Sequence, residues 1–507
     1  MGGATVTFTP VAGGTAIQTA IFATIPTQIN AVLPATTAAG DYNVTVTNGS
    51  GTSTAFKVTV VVRKFGLITV PGSGAGRAVV EEITSAGQYE INRYTTGQLT
   101  WLGTTYTYAP AIPGQFMVAY GTGLNGATAS TVTIVVGNAQ ITPTFAGPQG
   151  QYPGFDQINF QLPAAVQTGC NVPFQVLIAG QLSNSTTISI APASAPSACV
   201  SNGVSQQVLT SLDQGGTIVT GEFLLTSANT TVTVAGTSLS ARSESASGGF
   251  GQITADNLGD IAAFTVAAGS CQVYHRIGAV QALLLPDVTF VDAGNIMLSG
   301  PNISSPMAFK EDSKNFYTLN LGTSVTLPPG ITLPPGFNSA PVIAAGTYTL
   351  SGAGGTGVKS FTAATAVHAP LTLTSPTTLP TTVPRSSNLT LAWSGGDGDM
   401  VQVTGASGGP TADSTSANPT YNSVVFICTT TADKGSITIP ASVLSQLPAT
   451  PAAGPGAANG IGFLELTQTG VPAVNNGLFT TSTTSSGQTV PGTFLGTIGY
   501  SANTTYQ

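Results

Sequence analysis

An all-β fold, arranged as tandem immunoglobulin-like β-sandwiches with little or no helix, is predicted by three features of this sequence. Apolar and polar residues alternate at period two in one stretch after another. Part of the chain repeats itself at a fixed offset. Val, Ile and Thr, which suit a pleated sheet, are abundant, while Asp, Glu, Lys and Arg make up only 6% of 507 residues.

The alternation is plainest near the start. Between Asp41 and Thr47, Val44 and Val46 alternate with Thr45 and Thr47; between Phe56 and Val60, Phe56, Val58 and Val60 alternate with Lys57 and Thr59. Successive strand side chains point to opposite faces, so each run has a buried side and a wet side. Asn48-Gly49 supplies positive-φ residues for the turn between them, in a loop longer than a tight hairpin. The two runs read as an antiparallel pair at a sandwich edge.

The repeat is the strongest signal. Gln28-Ile29-Asn30, Leu33-Pro34-Ala35 and Gly40 return as Gln157-Ile158-Asn159, Leu162-Pro163-Ala164 and Gly169, all at an offset of 129 residues. Phe22-Ala23 matches Phe145-Ala146 after a short insertion. Both copies then enter alternating strands, the second through Phe174, Val176, Ile178, Ile188 and Ile190. One sandwich is used twice. The second copy opens with two strands, at Gly114–Tyr120 and at Thr131–Val136, where the first has room for one, around Thr5–Phe8. The first sandwich is therefore expected to lack its opening strand, through a truncated sequence or an edge completed by another chain.

At these residues the chain resembles a domain of unknown function that recurs at the C-termini of secreted acidobacterial proteins. Pro26-Thr27-Gln28-Ile29-Asn30 with Leu33-Pro34, Gly121-Thr122-Gly123-Leu124, and Phe155-Asp156-Gln157-Ile158-Asn159 with Leu162-Pro163 carry the likeness, over about residues 1–192. The resemblance implies export and an Ig-like fold, and it brings no assigned activity. The missing first strand departs from the family's pattern. Val291 to Gly294 and Pro440 to Leu444 are similar to segments that come after that domain.

Four units are expected: an incomplete sandwich at 1–62, a sandwich with an N-terminal hairpin extension at 63–192, a β-rich module at 200–370, and a C-terminal sandwich module at 371–507. A linker comes after Pro192–Ser197, and a Pro-rich loop breaks the strands from Leu327 to Pro335. Ser442 to Leu447 is the one short helical turn expected.

Composition narrows function. Mean hydropathy is +0.28 because charge is scarce, roughly 25% being ordinary. Thr, Ser, Asn, Gln and Gly must cover the surface, and richness in β-branched residues argues against disorder. Net charge is −7 without any basic run, which excludes nucleic acid as a partner. So few carboxylates imply a fold tolerant of mild acid. No secretory signal opens the sequence, and no apolar stretch is long enough for a membrane span. The expected location is extracellular or cell-surface, with the export signal lost by truncation.

Four cysteines, none spaced as CxxC, suit an oxidising compartment. Cys170 and Cys199 flank the last strands of the second sandwich and are expected to pair, worth about 3–4 kcal/mol; two separately buried thiols are the alternative. Cys271 and Cys428 remain as the other pair.

Motifs of chemistry fail on context. Gly121 to Gly126 fits GxGxxG, but the next residues alternate as strand and offer no helix N-terminus to a pyrophosphate. Gly405 to Gly409 fits GxSxG, yet Pro410 comes next and His275 and His368 lie upstream, so it reads as a Gly-rich loop. Gly352 to Ser360 mimics a P-loop with Val358 intruding. Asp397 and Asp399 lack the further ligands of a calcium loop and read as a solvated turn. Glu81 and Glu82 are adjacent on a strand and face opposite ways, against a glycosidase pair. Cys271, Tyr274 and His275 would need a free thiol to act as a nucleophile and read as packed strand.

No cofactor, metal or catalytic group is expected, and no enzyme. A surface protein of structural or adhesive kind, self-associating through its incomplete first sandwich, fits best. The alternative is a carbohydrate- or polymer-binding accessory chain, with Tyr94, Trp101, Tyr106 and Tyr108 as an aromatic platform for sugar rings, although the same aromatics read more simply as a hairpin covering a module seam.

Overall fold

A computed structural model describes residues 3–25, 28–72, 74–101, 103–137, 139–200, 204–234, 237–255, 269–278, 288–326, 341–410, 421–450, 460–471, 473–474 and 476–507. The Pro-rich loop at 327–335 and the pair Pro26-Thr27 lie outside them. The protein is all-β, and its described helices are two short ones.

The first unit comprises β1 (Thr5–Pro10), β2 (Ile17–Gln18), β3 (Ala20–Ile25), β4 (Gln28–Val32), β5 (Gly40–Asn48), β6 (Gly51–Thr52) and β7 (Phe56–Val60). One sheet runs β2-β1-β5, with β6 and β7 also on β5; the other is only β3-β4. The second unit opens with β8 (Gly66–Leu67), β9 (Val80–Ile83), β10 (Tyr89–Asn92), β11 (Gly97–Trp101) and β12 (Thr104–Ala109). Next come β13 (Phe116–Thr122), β14 (Val132–Val136), β15 (Ala139–Ile141) and β16 (Phe145–Pro148). The unit ends with β17 (Asp156–Gln161), β18 (Gly169–Ile178), β19 (Gln181–Leu182) and β20 (Thr186–Ile190).

In the second unit β8 and β9 pair with β13, and β17 and β16 continue that sheet; the facing sheet holds β15, β14, β18 and β20. That is the ABED and CFG arrangement of an immunoglobulin sandwich. Its core lies between the sheets, where Phe160 stacks on Phe174 at 5.6 Å between ring centroids. The repeat maps strand onto strand: β1, β3, β4, β5 and β7 correspond to β14, β16, β17, β18 and β20. Among the described residues, no counterpart of β13 exists in the first unit. Its core is correspondingly thin, with Val6 and Tyr42 its buried apolar side chains.

Beyond Ser205 the sequence departs from expectation. Inside the stretch expected as a β-rich module, α1 (Gln206–Asp213) forms, capped by Ser205, whose side chain accepts from the Val208 amide. Val208, Leu209 and Leu212 face inward beside the bonded pair Cys170–Cys199. Eight residues give only two turns of periodicity, too few to stand out in a chain so rich in alternation.

The C-terminal half begins with β21 (Ile218–Val234), β22 (Thr237–Ile253), β23 (Cys271–Gly278), β24 (Thr289–Val291), β25 (Ile296–Ser299), β26 (Met307–Ala308) and β27 (Lys310–Glu311). Then come β28 (Tyr317–Thr326), β29 (Gly346–Gly352), β30 (Phe361–Val367), β31 (Thr372–Ser375), β32 (Thr382–Val383) and β33 (Leu389–Ser394). The last are β34 (Met400–Pro410), β35 (Tyr421–Thr431), β36 (Ser436–Ile439), α2 (Ala441–Leu444), β37 (Ile461–Thr469), β38 (Ala473–Val474), β39 (Gly477–Ser482), β40 (Thr489–Asn503) and β41 (Thr505–Tyr506). The predicted helical turn at 442–447 overlaps α2.

One sheet runs through this whole half, in the order β23-β35-β34-β37-β40-β21-β22-β28-β27. The ladder is antiparallel except where β40 meets β21 in parallel. Strands β25, β29 and β30 form a sheet whose residues share a core with β21, β22, β28 and β40. Strands β31, β33 and β36 supply the sheet of a second core, shared with β34, β35 and β37. The expected boundary at 370/371 is therefore corrected: the two modules exchange strands. Phe479, Val490, Phe494 and Ile498, from the last module, share a core with Phe223, Phe250 and Phe361. In return β23 forms the edge of the other half-sheet, pairing along β35 and bonded through Cys271–Cys428. Period-two patterning shows that a strand exists and is silent about its neighbour. The predicted Gly-rich loop at 405–409 is likewise strand, inside β34, where a Cβ on Gly405 would strike the Phe426 and Tyr506 rings.

Exchanged strands make each module dependent on the other. Residues 204–370 and 371–507 expressed apart should show no cooperative unfolding, whereas 204–507 melts in one transition; a sharp melt of either piece alone would restore the boundary. Cys271→Ser with Cys428→Ser should cost about 4–5 kcal/mol in denaturant titration, since the closed loop is long.

Candidate functional site

The aromatic group sits on the hairpin extension β10–β12, where the platform expectation is corrected for Tyr94 and Tyr108, which cover a seam instead. Tyr94 is 0% exposed and Tyr108 2%. Their ring faces are already occupied, by Arg77 at 5.0 Å over Tyr94 and by Arg93 at 5.4 Å over Tyr108. Tyr106, two residues from Tyr108 on the same strand face, is 38% exposed. The Trp101 side chain lies outside the described residues. What closes over Tyr94 is α1, an element the sequence pattern did not announce.

The same seam is tied by Asp213 at the end of α1. Its carboxylate accepts from the Thr95 amide at 2.7 Å, the Thr95 hydroxyl at 2.9 Å and the Tyr94 amide at 3.3 Å, with Arg77 Nη1 at 3.5 Å. Arg93 Nη1 donates to its carbonyl at 2.6 Å. Burial pushes the Asp213 carboxyl upward, opposed by the Thr95 bonds and by Arg77. A buried charge this fully bonded fixes the orientation of the second unit against α1.

Glu81 and Glu82 do face opposite ways. Tyr120 Oη donates to Glu81 Oε2 at 2.7 Å, while Glu82 is fully buried and accepts from Asn92 Nδ2 at 3.1 Å. Asn92 also receives the Ser189 amide at 2.8 Å and donates to the Ser189 carbonyl at 2.9 Å. Desolvation holds the Glu82 carboxyl well above the usual range, the Asn92 bond opposing it. At Cys271 the sulfur is bonded to Cys428, so no thiol is available there as a nucleophile; the His275 side chain lies outside the described residues.

Asp399 corrects the expectation of a solvated turn. Asp397 does turn, at φ 46°, among Gly395, Gly396 and Gly398. Asp399, however, is 3% exposed. His368 Nδ1 lies 2.6 Å from its Oδ1, and Gln468 Nε2 donates to its Oδ2 at 2.7 Å. Gln468 in turn accepts from the Leu371 amide at 2.7 Å. This chain of bonds ties the crossing at 368–371 to β34 and β37. Among the described residues no hydroxyl or thiol is hydrogen-bonded to His368, and no three His, Cys, Asp or Glu gather as for a metal. Nothing in sequence spacing would have brought these residues together.

The first unit holds a groove of about 920 Å³ between β3-β4 and the facing sheet. Val6, Phe8, Val44 and Val46 line it from one side, Ile25 and Ile29 from the other. Ile25 is 58% exposed and Phe56, at its rim, 70%. Side chains of this kind form a sandwich interior when a unit is complete.

No family model and no curated protein matches the chain. Among solved structures, chicken CNTN1 FN1-FN3 domains are similar at 7% identity and a TM-score of 0.10, over 78% of this chain and 93% of that one. Sidekick-1 immunoglobulin domains 1-5 are similar at 9% and 0.11, over 97% and 92%. The endo-fucoidan hydrolase MfFcnA4 is similar at 12% and 0.12, over 82% of this chain and 45% of the hydrolase. Overlaps this slight carry no argument about activity or partner; the sandwich assignment stands on strand order. No helix among the described residues is long and apolar enough to cross a membrane.

Glu82 gives a pH test. Its folded pKa lies above its unfolded one, so its stabilising contribution is complete below the unfolded carboxyl pKa and is lost as pH rises toward the folded value. Glu82→Gln should therefore raise the denaturant midpoint over wild type more at about pH 8 than at about pH 4. Equal gains at both pH values would mean Glu82 is not held protonated.

Proposed function

We propose that this chain is a non-catalytic structural or adhesive protein of the cell exterior, spacing and displaying sandwich units and assembling through the first of them. The carrying observation is the contrast between the first two units: the same sandwich, closed with a buried core in one and open along an apolar groove in the other. Exposed apolar edges on soluble sandwiches are costly to keep unless they meet something. Two disulfides and a surface finished with hydroxyl groups in place of charge suit an oxidising, variable medium. The resemblance of the first 192 residues to a domain of secreted proteins supports export.

Sedimentation velocity over a wide concentration range tests assembly through copies of this chain. Mass should climb with concentration and stay at the monomer value in Ile29→Lys, which puts a charge in the groove. A monomer at every concentration would remove self-association, and climbing mass in the variant would move the contact elsewhere.

A further inference from the structure

The sheet of the second unit that contains β13 has an outward face as well as a core side. On β13, Met117 and Ala119 point into the core and are 0% exposed, so Phe116, Val118 and Tyr120 lie on the other face. Strand register carries that outward set across the neighbouring strands in rows. One row runs Tyr89, Ile83, Phe116, Gln161 over β10, β9, β13 and β17. The next runs Ile91, Glu81, Val118, Asn159, Phe145 and ends on β16, and beyond it Tyr120 lies opposite Gln157.

Aromatic side chains on this face reach solvent: Tyr89 is 58% exposed, Phe116 46% and Phe145 42%. Val118 among them is buried, so the rings stand on a filled floor. Tyr89 and Phe116 are two strands apart, about 10 Å across the row, a span comparable with two linked pyranose rings. Beside the rings are amides. Gln157 Nε2 donates to Asn159 Oδ1 at 2.8 Å, and among the described residues Gln157 Oε1 and Asn159 Nδ2 have no hydrogen-bond partner. Charge is nearly absent: Glu81 is the one carboxylate in these rows, bonded to Tyr120 Oη, and no Lys or Arg stands in them.

That chemistry selects an occupant. A protein surface laid here would strand the open ends of the amides unless it met each with a bond of its own. An anionic polymer would meet a carboxylate and no cation. A pyranose ring has an apolar C–H face that fits an aromatic ring, and a rim of hydroxyls that donate and accept as the amides do. We propose that the outward face of the second unit binds an uncharged polysaccharide, laid across the strands with sugar rings flat on Tyr89 and Phe116 and hydroxyls meeting Gln157 and Asn159. This face is distinct from the seam at Tyr94 and Tyr108 and from the groove of the first unit. It gives the adhesive role a target and does not depend on assembly through the groove.

Isothermal titration calorimetry of the full chain tests this, with cellohexaose, N-acetylchitohexaose, xylohexaose and mannohexaose as neutral probes and a galacturonic acid hexamer as the charged control. At least one neutral oligosaccharide should bind and the acidic one should not. Tyr89→Ala with Phe116→Ala should weaken that binding at least about tenfold, and Ile29→Lys in the first unit should leave it unchanged. Both aromatic side chains are exposed, and far-ultraviolet dichroism checks the fold; should the pair disturb it, each single substitution must weaken binding in the same direction. Silence from all the neutral sugars, tighter binding of the acidic one, or indifference to the substitutions overturns the proposal. If no sugar binds and the double substitution abolishes multimers instead, the face is a contact between copies and the proposal falls. Its failure leaves assembly through the first unit, read by sedimentation of Ile29→Lys, as it was.

Discussion

Completion of the backbone ladder is the constraint on which this molecule depends. Among the described residues helix is almost absent and ion pairs are few, so the N–H and C=O groups of one strand must be met by the next. The second unit meets the requirement in full, sheet against sheet around Phe160 and Phe174. The first meets it on one sheet and stops at β4 on the other. Where many proteins would place charges, hydroxyls face each other across the strands, as at Thr47 with Thr52, Thr390 with Thr438 and Thr469 with Thr497. Such pairs keep their geometry when pH changes.

The C-terminal half answers the same constraint differently. It uses one sheet for two cores, joined where β40 runs parallel to β21 from Gly221 with Gly492 to Thr230 with Ser501. Phe223, Phe250, Phe361 and Phe479 pack ring on ring across what would otherwise be a seam, with centroids 5.0–5.5 Å apart along that series. Glycines make room for them: a Cβ at Gly492 would collide with the Phe479 ring. The cost of each missing side chain is offset by aromatic area buried on both sides.

Fold class and the duplicated sandwich were legible because both rest on local pattern. Ile29 and Ile158 announce the same strand, and Val132, Ile134 and Val136 are buried while Thr133 and Val135 between them are half-buried, as period two requires. What stayed hidden was always a partnership across distance. The burial of Tyr94 depends on a helix too short to declare itself. Asp399 looks like a turn residue until His368 and Gln468 arrive from elsewhere in the chain. The parallel join of β21 and β40 leaves no mark on either strand. Of the candidate site, the open edge was visible as a deficit in the repeat, while the groove behind it depends on how two sheets face each other, which no local pattern records.

That parallel join also has a bearing on how the chain is made. The Thr220 hydroxyl donates to the carbonyl of Pro491, a residue synthesised 271 positions later. Until β40 is made, β21 has one of its two edges bare. A polypeptide arranged in this way keeps β21 half-paired through most of the synthesis of that half, and its slowest contacts to form are those of greatest sequence separation.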